Sequence, residues 1–282
     1  MFWNLRNRLL DLSHSGLLMG ILNITPDSFS DGGLYFDSEK AFAHAQQMIV
    51  EGADILDVGG ESSRPGSDPV SVTEELRRVI PTIKRIRTEY PAVLISIDTY
   101  KAETARQAIR AGANIINDIS ALRADPEMLD VLKESDAGVV LMHMRGTPKT
   151  MQLNPIYQDP VAEIYAFLRQ RSDLLVENGV DPSRIAIDPG FGFGKRLEDN
   201  LALLRKLDHF IELGHPIAVG VSRKSMIASL LGNRSLPEHE RNWPTVGLTS
   251  LMRERGARIF RVHDVQANRQ SLRMTEAILS YE

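Results

Sequence analysis

The chain has 282 residues, 43% hydrophobic and 25% charged, with 33 basic against 37 acidic side chains for a formal net charge of −4. That balance fits a globular protein with a substantial core, and its interspersed signs exclude a broad nucleic-acid surface, which needs a clustered basic excess. With no cysteine there is no disulfide, thiolate nucleophile or cysteine metal site, and no apolar run reaches the roughly 18 residues of a membrane span, so a cytoplasmic setting is expected.

The opening MFWNLRNRLLDLSHS lacks the apolar stretch and small-residue cleavage site of a secretory leader. From there, short apolar runs rich in β-branched residues alternate with longer segments of helical period. The predicted strands are 17–24 (LLMGILNI), 54–59 (DILDVG), 93–98 (VLISID), 114–119 (NIINDI), 138–144 (GVVLMHM), 184–190 (RIAIDPG), 216–222 (PIAVGVS) and 258–264 (RIFRVHD). Each is nearly continuously apolar, as a strand buried on both faces should be.

Between them, Ser71-Val-Thr-Glu74 reads as a capping box opening a helix that runs to about Tyr90, ahead of Pro91. Residues 159–178 place Val161, Ile164, Phe167, Leu168, Leu174 and Leu175 on one helical face before Gly179. Eight such alternations in one chain of this length point to a single (β/α)8 barrel over residues 1–282, with an open doubly wound sheet as the alternative. The least regular stretches are 23–37, 60–70, 144–158 and 232–244.

Polar residues recur where the predicted strands finish: Asn23, Asp57, Asp98, Asn117, His143, Asp188, Ser222 and His263. In a barrel these ends converge on the face that carries the active site. Any one of them could merely cap the next helix, His143 could be a packing residue and Asp57 could hold a loop; the set of eight argues for a site. Buried Asp98, Asn117 and Asp188 can read a flat heterocycle with several N–H donors and a carbonyl, while Arg64, Lys224, Arg261 and His263 can donate to a phosphate or diphosphate at the rim.

The segment DPGFGFGK (188–195) has three rather than four residues between Gly190 and Gly194, and Arg196 follows Lys195, so it does not match a nucleotide phosphate loop. Close approach of a ligand to a small-residue turn is the better account, with Phe191 or Phe193 either stacking on a ring or serving as core. In GVSRKSMI (220–227), two basic residues open a helix against its dipole, which makes sense beside an anion or electron-rich substrate.

Taken together, MGILNITPDSFSDGG (19–33), DVGGESSRPG (57–66), SIDTYK (96–101), NIINDI (114–119), LMHMRGTPKTMQ (141–152), DPGFGFGK (188–195), VSRKS (221–225) and RVHDV (261–265) resemble, in the same order, the motifs of the dihydropteroate synthase family of folate biosynthesis. The resemblance implies a (β/α)8 barrel, a homodimer and a sulfonamide-targeted transferase that joins 6-hydroxymethyl-7,8-dihydropterin diphosphate to p-aminobenzoate. It implies that Asp98, Asn117, Asp188 and Lys224 bind the pterin, with Met142 and Phe193 packing near it, and that Ser63, Arg64, Arg261, Val262 and His263 surround the diphosphate. Phe29, Ser63, Pro65, Lys224 and Ser225 would border p-aminobenzoate, and Asn23 would contact Mg²⁺. Lys224, Asp98, Asp188 and Arg64 are then the expected catalytic residues, with the diphosphate leaving before the amine bonds.

Two departures from the family pattern stand out: Ser63 where Thr is usual, and RNWPTVGLTSLMRERG (241–256) in place of a small-residue segment, which bears on local geometry and the dimer contact. The stretch after Asn23 reads as a mobile lid that closes with 63–66 over the reacting centre. A pterin-dependent methyltransferase barrel, or a non-catalytic pterin-binding paralogue, remains as an alternative reading of the ring-binding residues.

Overall fold

The computed structural model describes residues 1–6, 8–25 and 34–281. Strands β3 (Leu17–Asn23), β4 (Ile55–Gly59), β5 (Leu94–Asp98), β6 (Ile115–Asp118), β7 (Gly138–Met142), β8 (Ile185–Asp188), β9 (Ile217–Val219) and β10 (Ala257–Val262) form a closed parallel barrel. β10 pairs with both β3 and β9, which rules out the open sheet. Around it run α1 (Leu34–Val50), α2 (Val72–Glu89), α3 (Ala102–Ala111), α4 (Met128–Lys133), α5 (Pro160–Glu177), α6 (Leu197–Arg205), α7 (Ser225–Leu230), α8 (Asn242–Glu254) and α9 (Val265–Leu279).

Strand side chains alternate between two destinations, as the pleat requires. Leu18, Leu56, Ile95, Ile116, Leu141, Ile187, Val219 and Phe260 join the core shared with the helices. Their neighbours Met19, Ile55, Leu94, Ile115, Val140, Ala186, Ala218 and Ile259 fill the barrel interior. Both faces are therefore apolar at this level, and the strands read as continuous hydrophobic runs.

The interior cluster also contains Trp3, Leu5 and Leu12. They belong to or adjoin an antiparallel hairpin, β1 (Phe2–Leu5) with β2 (Arg8–Asp11), that covers the N-terminal end of the barrel. The Trp3 indole donates to the Arg184 carbonyl at 3.1 Å, and the Arg6 N–H donates to Asp136 O at 2.7 Å. A Cβ on Gly138 would sit 2.1 Å from Leu5 Cδ2, so glycine as the first residue of β7 lets the hairpin seat without moving Leu5.

The helix signals are largely realised. Ser71 caps α2 by accepting the Glu74 N–H at 3.3 Å, but only half of the expected capping box forms, because the Glu74 carboxylate takes Arg77 and Arg78 instead. Asp159 caps α5 by accepting from Val161 and Ala162, and Gly179 follows its end with a left-handed φ of 88°. The atypical 241–256 segment is a regular helix, α8, tied to α9 by Thr249–Asn268 and Ser250–Ser271 hydrogen bonds and by the Arg253–Glu276 ion pair. The irregular stretch expected at 232–244 is partly ordered as a short 3-10 turn, Glu238–Arg241.

Candidate active site

Two residues further along β4, β5, β6, β8 and β10, the interior changes from apolar to polar, at Asp57, Ser96, Asn117, Asp188 and Arg261. Asp57 on β4 accepts Arg261 Nε from β10 at 2.6 Å and Asn117 Nδ2 from β6 at 3.1 Å with one oxygen, Oδ2. The other arm of Arg261 donates to Asp98 Oδ2 at the end of β5, at 2.6 Å. These bonds cross the barrel between strands that are not neighbours, so the groups face a common interior. Asp57 was open to reading as a loop holder; it instead fixes Arg261 and Asn117, and its Oδ1, like the buried Ser96 Oγ beside it, has no partner among the described residues.

Packing carboxylates beside cations in a desolvated interior shifts the protonation of Asp98, Asp188, Lys224 and Arg261. Burial raises Asp98, with Asp57 adding to the effect and Arg261 opposing it. Burial raises Asp188 as well, against the pull of Lys224 and of the Gly190 N–H that its Oδ1 accepts at 2.7 Å. Burial pushes Lys224 down to about 7, resisted by Asp188 and assisted by Arg261. Burial works against the charge of Arg261 too, but Asp57 and Asp98 outweigh it and hold the guanidinium above its usual range.

The opposite wall is the turn after β8. Gly190, Gly192 and Gly194 all have positive φ, and a Cβ on Gly190 would fall 1.9 Å from the His143 carbonyl oxygen, so the turn lies against the end of β7 as no other residue would allow. Lys195 points inward beneath this turn and donates to Gly190 O at 2.8 Å, Phe193 O at 3.1 Å and His143 O at 3.3 Å, with His143 Nδ1 at 3.0 Å. Its ammonium is thus engaged by the turn and the end of β7. Phe191 is fully buried in the helix-side core, whereas Phe193 packs on Met142 beneath the Lys224 ammonium, 4.4 Å from its ring centroid. Lys224 also donates to the Phe191 carbonyl.

His143 departs from the convergence expected of the strand-end residues. It follows the inward Met142, so it faces the helices, edge-on to Phe167 at 4.8 Å; burial and the adjacent Lys195 lower it to about 2. Val262 is likewise buried in the helix-side core, which leaves only its backbone toward the barrel end.

At the rim, His263 Nδ1 lies 2.9 Å from Ser222 Oγ, and burial together with Arg223 and Arg261 lowers it to about 3. Asn23 Oδ1 and Asp98 Oδ2 flank the space above Gly59, where an added Cβ would lie 3.4 Å and 3.7 Å from them. Arg64 is two-thirds exposed and pairs with Glu238 at 3.1 Å rather than meeting Arg261. Ser63 is half-buried and Pro65 exposed on the same loop, and Ser225 is exposed at the start of α7. Phe29 and most of the expected lid lie outside the described residues.

The profile of the pterin binding enzyme family matches residues 19–263. The dihydropteroate synthase of Streptococcus pyogenes serotype M3 is 47% identical over 251 residues, covering 89% of this chain and 91% of that protein. The chain belongs to the dihydropteroate synthase family. Among solved structures, a Yersinia pestis dihydropteroate synthase with a sulfonamide drug complex superposes with a TM-score of 0.92 at 40% identity, covering all of both chains. A Xanthomonas albilineans dihydropteroate synthase with 4-aminobenzoic acid gives 0.91 at 44% identity, over 99% of this chain and 100% of that one. For a dihydropteroate synthase-family barrel, the polar interior has a consistent sense: acceptors and donors from several strands face one another near Met142 and Phe193.

Motif reading missed Asp57 as the group that holds Arg261 and Asn117. The signal was present, since Asp57 lies two residues beyond the inward Ile55, as Asn117 lies two beyond Ile115. It also missed Glu238, for which no local pattern exists.

Proposed function

We infer that the chain condenses 6-hydroxymethyl-7,8-dihydropterin diphosphate with p-aminobenzoate, giving 7,8-dihydropteroate and diphosphate. The bond between the exocyclic CH₂ and the diphosphate oxygen breaks with its electron pair on oxygen, the arylamine nitrogen bonds to that carbon, and the amine then loses a proton. The observation that carries this is the constellation of buried Asp98, Asn117 and Asp188 with half-buried Lys224 and Arg261, in which Asp57 holds Arg261 and Asn117 and Lys224 lies over the Phe193 ring. A raised Asp98 can act as donor or acceptor toward the ring's amino and amide edge, and with Asp188 it offsets positive charge developing on the ring. Lys224 and Arg261 bring donors to the ring and the departing oxygens, and His263, Ser63 and Arg64 border the diphosphate. Pro65, Ser225 and Phe29 would complete the arylamine side; a solved relative holding 4-aminobenzoic acid supports that second substrate.

Asn23 offers a carboxamide oxygen on the same side of Gly59 as the Asp98 carboxylate, which suits a hard cation that takes its remaining ligands from diphosphate and water. Among the described residues no cluster of three or more His, Cys, Asp or Glu side chains could hold a metal. Mg²⁺ held by Asn23 and the diphosphate would neutralise charge on the leaving group. Its binding should therefore be weak until that substrate is present; tight stoichiometric Mg²⁺ binding to the free protein by calorimetry would refute this. We further propose that residues 1–282 act as one domain, in the cytoplasm and as a homodimer. Leu251 on α8 and Met274 and Ile278 on α9 leave apolar surface exposed that a second copy could cover.

The deciding experiment combines the protein, the pterin diphosphate, p-aminobenzoate and Mg²⁺ and follows dihydropteroate and diphosphate. Equimolar formation of both is expected, and no product would sink the reading. Slow diphosphate release without p-aminobenzoate would support early departure of the leaving group.

A further inference from the structure

The loop at 61–70 is closed at its base by a single carboxylate and a single ammonium. Glu61 Oε2 accepts the Val70 N–H at 2.8 Å and Lys101 Nζ at 2.5 Å, while Lys101 Nζ also donates to Val70 O at 2.7 Å and Glu75 Oε2 at 2.7 Å. The first and last residues of the loop are thereby joined to each other and to the chain just beyond β5. Inside it, Ser67 Oγ bonds Ser62 O at 2.5 Å and Arg64 O at 2.8 Å, so Ser63, Arg64 and Pro65 ride on a braced turn.

The second oxygen of Glu61 leads elsewhere. Tyr100 OH donates to Glu61 Oε1 at 2.6 Å, and Tyr100 packs on the buried cluster of Ile119, Met142, Met144 and Met151, against which Phe193 also packs. One side chain therefore packs with its ring on the apolar cluster that contains Met142 and holds the root of the 61–70 loop with its hydroxyl. Burial and Glu61 both keep that hydroxyl protonated and donating. The pair is largely desolvated, with Glu61 and Lys101 side chains 9% and 12% exposed and Glu75 1% exposed, so its geometry is well determined by its partners.

We propose that Tyr100 and Glu61 are positioning residues that link the pterin cavity to the 61–70 loop and so set the arylamine side of the site. This rests on the reading that Ser63 and Pro65 border p-aminobenzoate. Neither Tyr100 nor Glu61 need touch substrate. Their role is to hold the loop at the height at which its residues meet the second substrate once the ring lies against Met142 and Phe193.

The test is steady-state kinetics of Tyr100→Phe, which keeps the packed ring and removes only the hydroxyl, with Pro65→Ala as the control for the loop itself. Loss of this one part-buried hydrogen bond to a carboxylate predicts a rise of about three- to tenfold in KM for p-aminobenzoate. KM for the pterin diphosphate and the melting temperature should stay close to the parent's. Glu61→Gln should move the same KM in the same direction. Equal rises in both KM values, or loss of stability without a KM change, would assign Tyr100 a merely structural role and overturn the proposal. If Pro65→Ala raises KM for p-aminobenzoate while Tyr100→Phe does not, the linkage fails and the loop reading stands. If neither variant moves it, the loop reading fails and the linkage with it.

Discussion

Lys224 illustrates how a side chain's chemistry is set by its surroundings. An ordinary lysine is an ammonium at any physiological pH, yet burial, resisted by Asp188 and assisted by Arg261, brings this one to about 7. Because an ammonium favours the anionic substrate, kcat/KM for the pterin diphosphate should fall as pH rises through about 7 and Lys224 gives up its proton. Lys224→Arg, which stays charged, should abolish that falling limb, and a limb unchanged in the variant would assign it to another group. Asp57 makes the complementary case. Its charge lies beneath the substrate site and its work is to hold Arg261 and Asn117. Asp57→Ala should cost about 3 kcal/mol in urea unfolding, near the lower end for a broken buried pair because Asp98 keeps one arm of Arg261. Much of this was open to inspection in the sequence, since Asp57, Asn117 and Asp188 each stand two residues beyond an inward apolar residue. What was not open was which of them would face a cation, because Arg261 lies 204 positions from Asp57.

At the scale of elements, local patterns foretold type and approximate extent. Strands 54–59, 93–98 and 138–144 contain β4, β5 and β7, and 159–178 contains α5 with its capping Asp159. The strand ends were overrun, by two residues at β7, β8 and β10 and by three at β9. Small and apolar residues continue past the last ladder bond, and hydropathy does not register where a chain leaves the sheet. The N-terminal hairpin was overlooked because a short alternation such as Phe2-Trp3-Asn4-Leu5 declares no partner until the barrel's open end exists to receive it. Since Trp3 and Leu5 fill that end, Trp3→Ala should cost about 3–5 kcal/mol of stability, the range for removing a fully buried tryptophan. The hairpin is at the opposite end of the barrel from the polar residues, so kcat should remain near the parent value. A stable protein with lowered kcat would contradict this division of the barrel into a stability end and a reacting end.

The molecule as a whole carries neutral histidines at its strand ends, and that gives it a predictable response to acid. His143 and His263 are lowered to about 2 and about 3, against an ordinary value near 6.5 in the unfolded chain. Between those limits the unfolded state binds more protons than the folded one, so their contribution to stability is complete above about 6.5 and is lost as pH falls below it. At pH 5 the buried His143 alone should account for about 2 kcal/mol. Urea midpoints measured from pH 7 to 5 should therefore decline, and less steeply for His143→Gln; equal slopes would show that His143 does not set the acid response.

The amino-acid order alone determined that eight buried parallel strands alternate with helices and that polar groups gather at their ends, because side-chain periodicity and motif spacing are properties of the local backbone. It also carried the resemblance to a family to which the chain proved to belong. The tertiary structure decided what no local pattern records: that β10 closes on β3, that the hairpin seals one end, that His143 faces the helices, that Lys195 is spent on the glycine turn and that Asp57 reaches Arg261. Each depends on barrel closure. A one-residue shift of a strand exchanges its inward and outward faces, and register is set only when all eight strands pair around the ring.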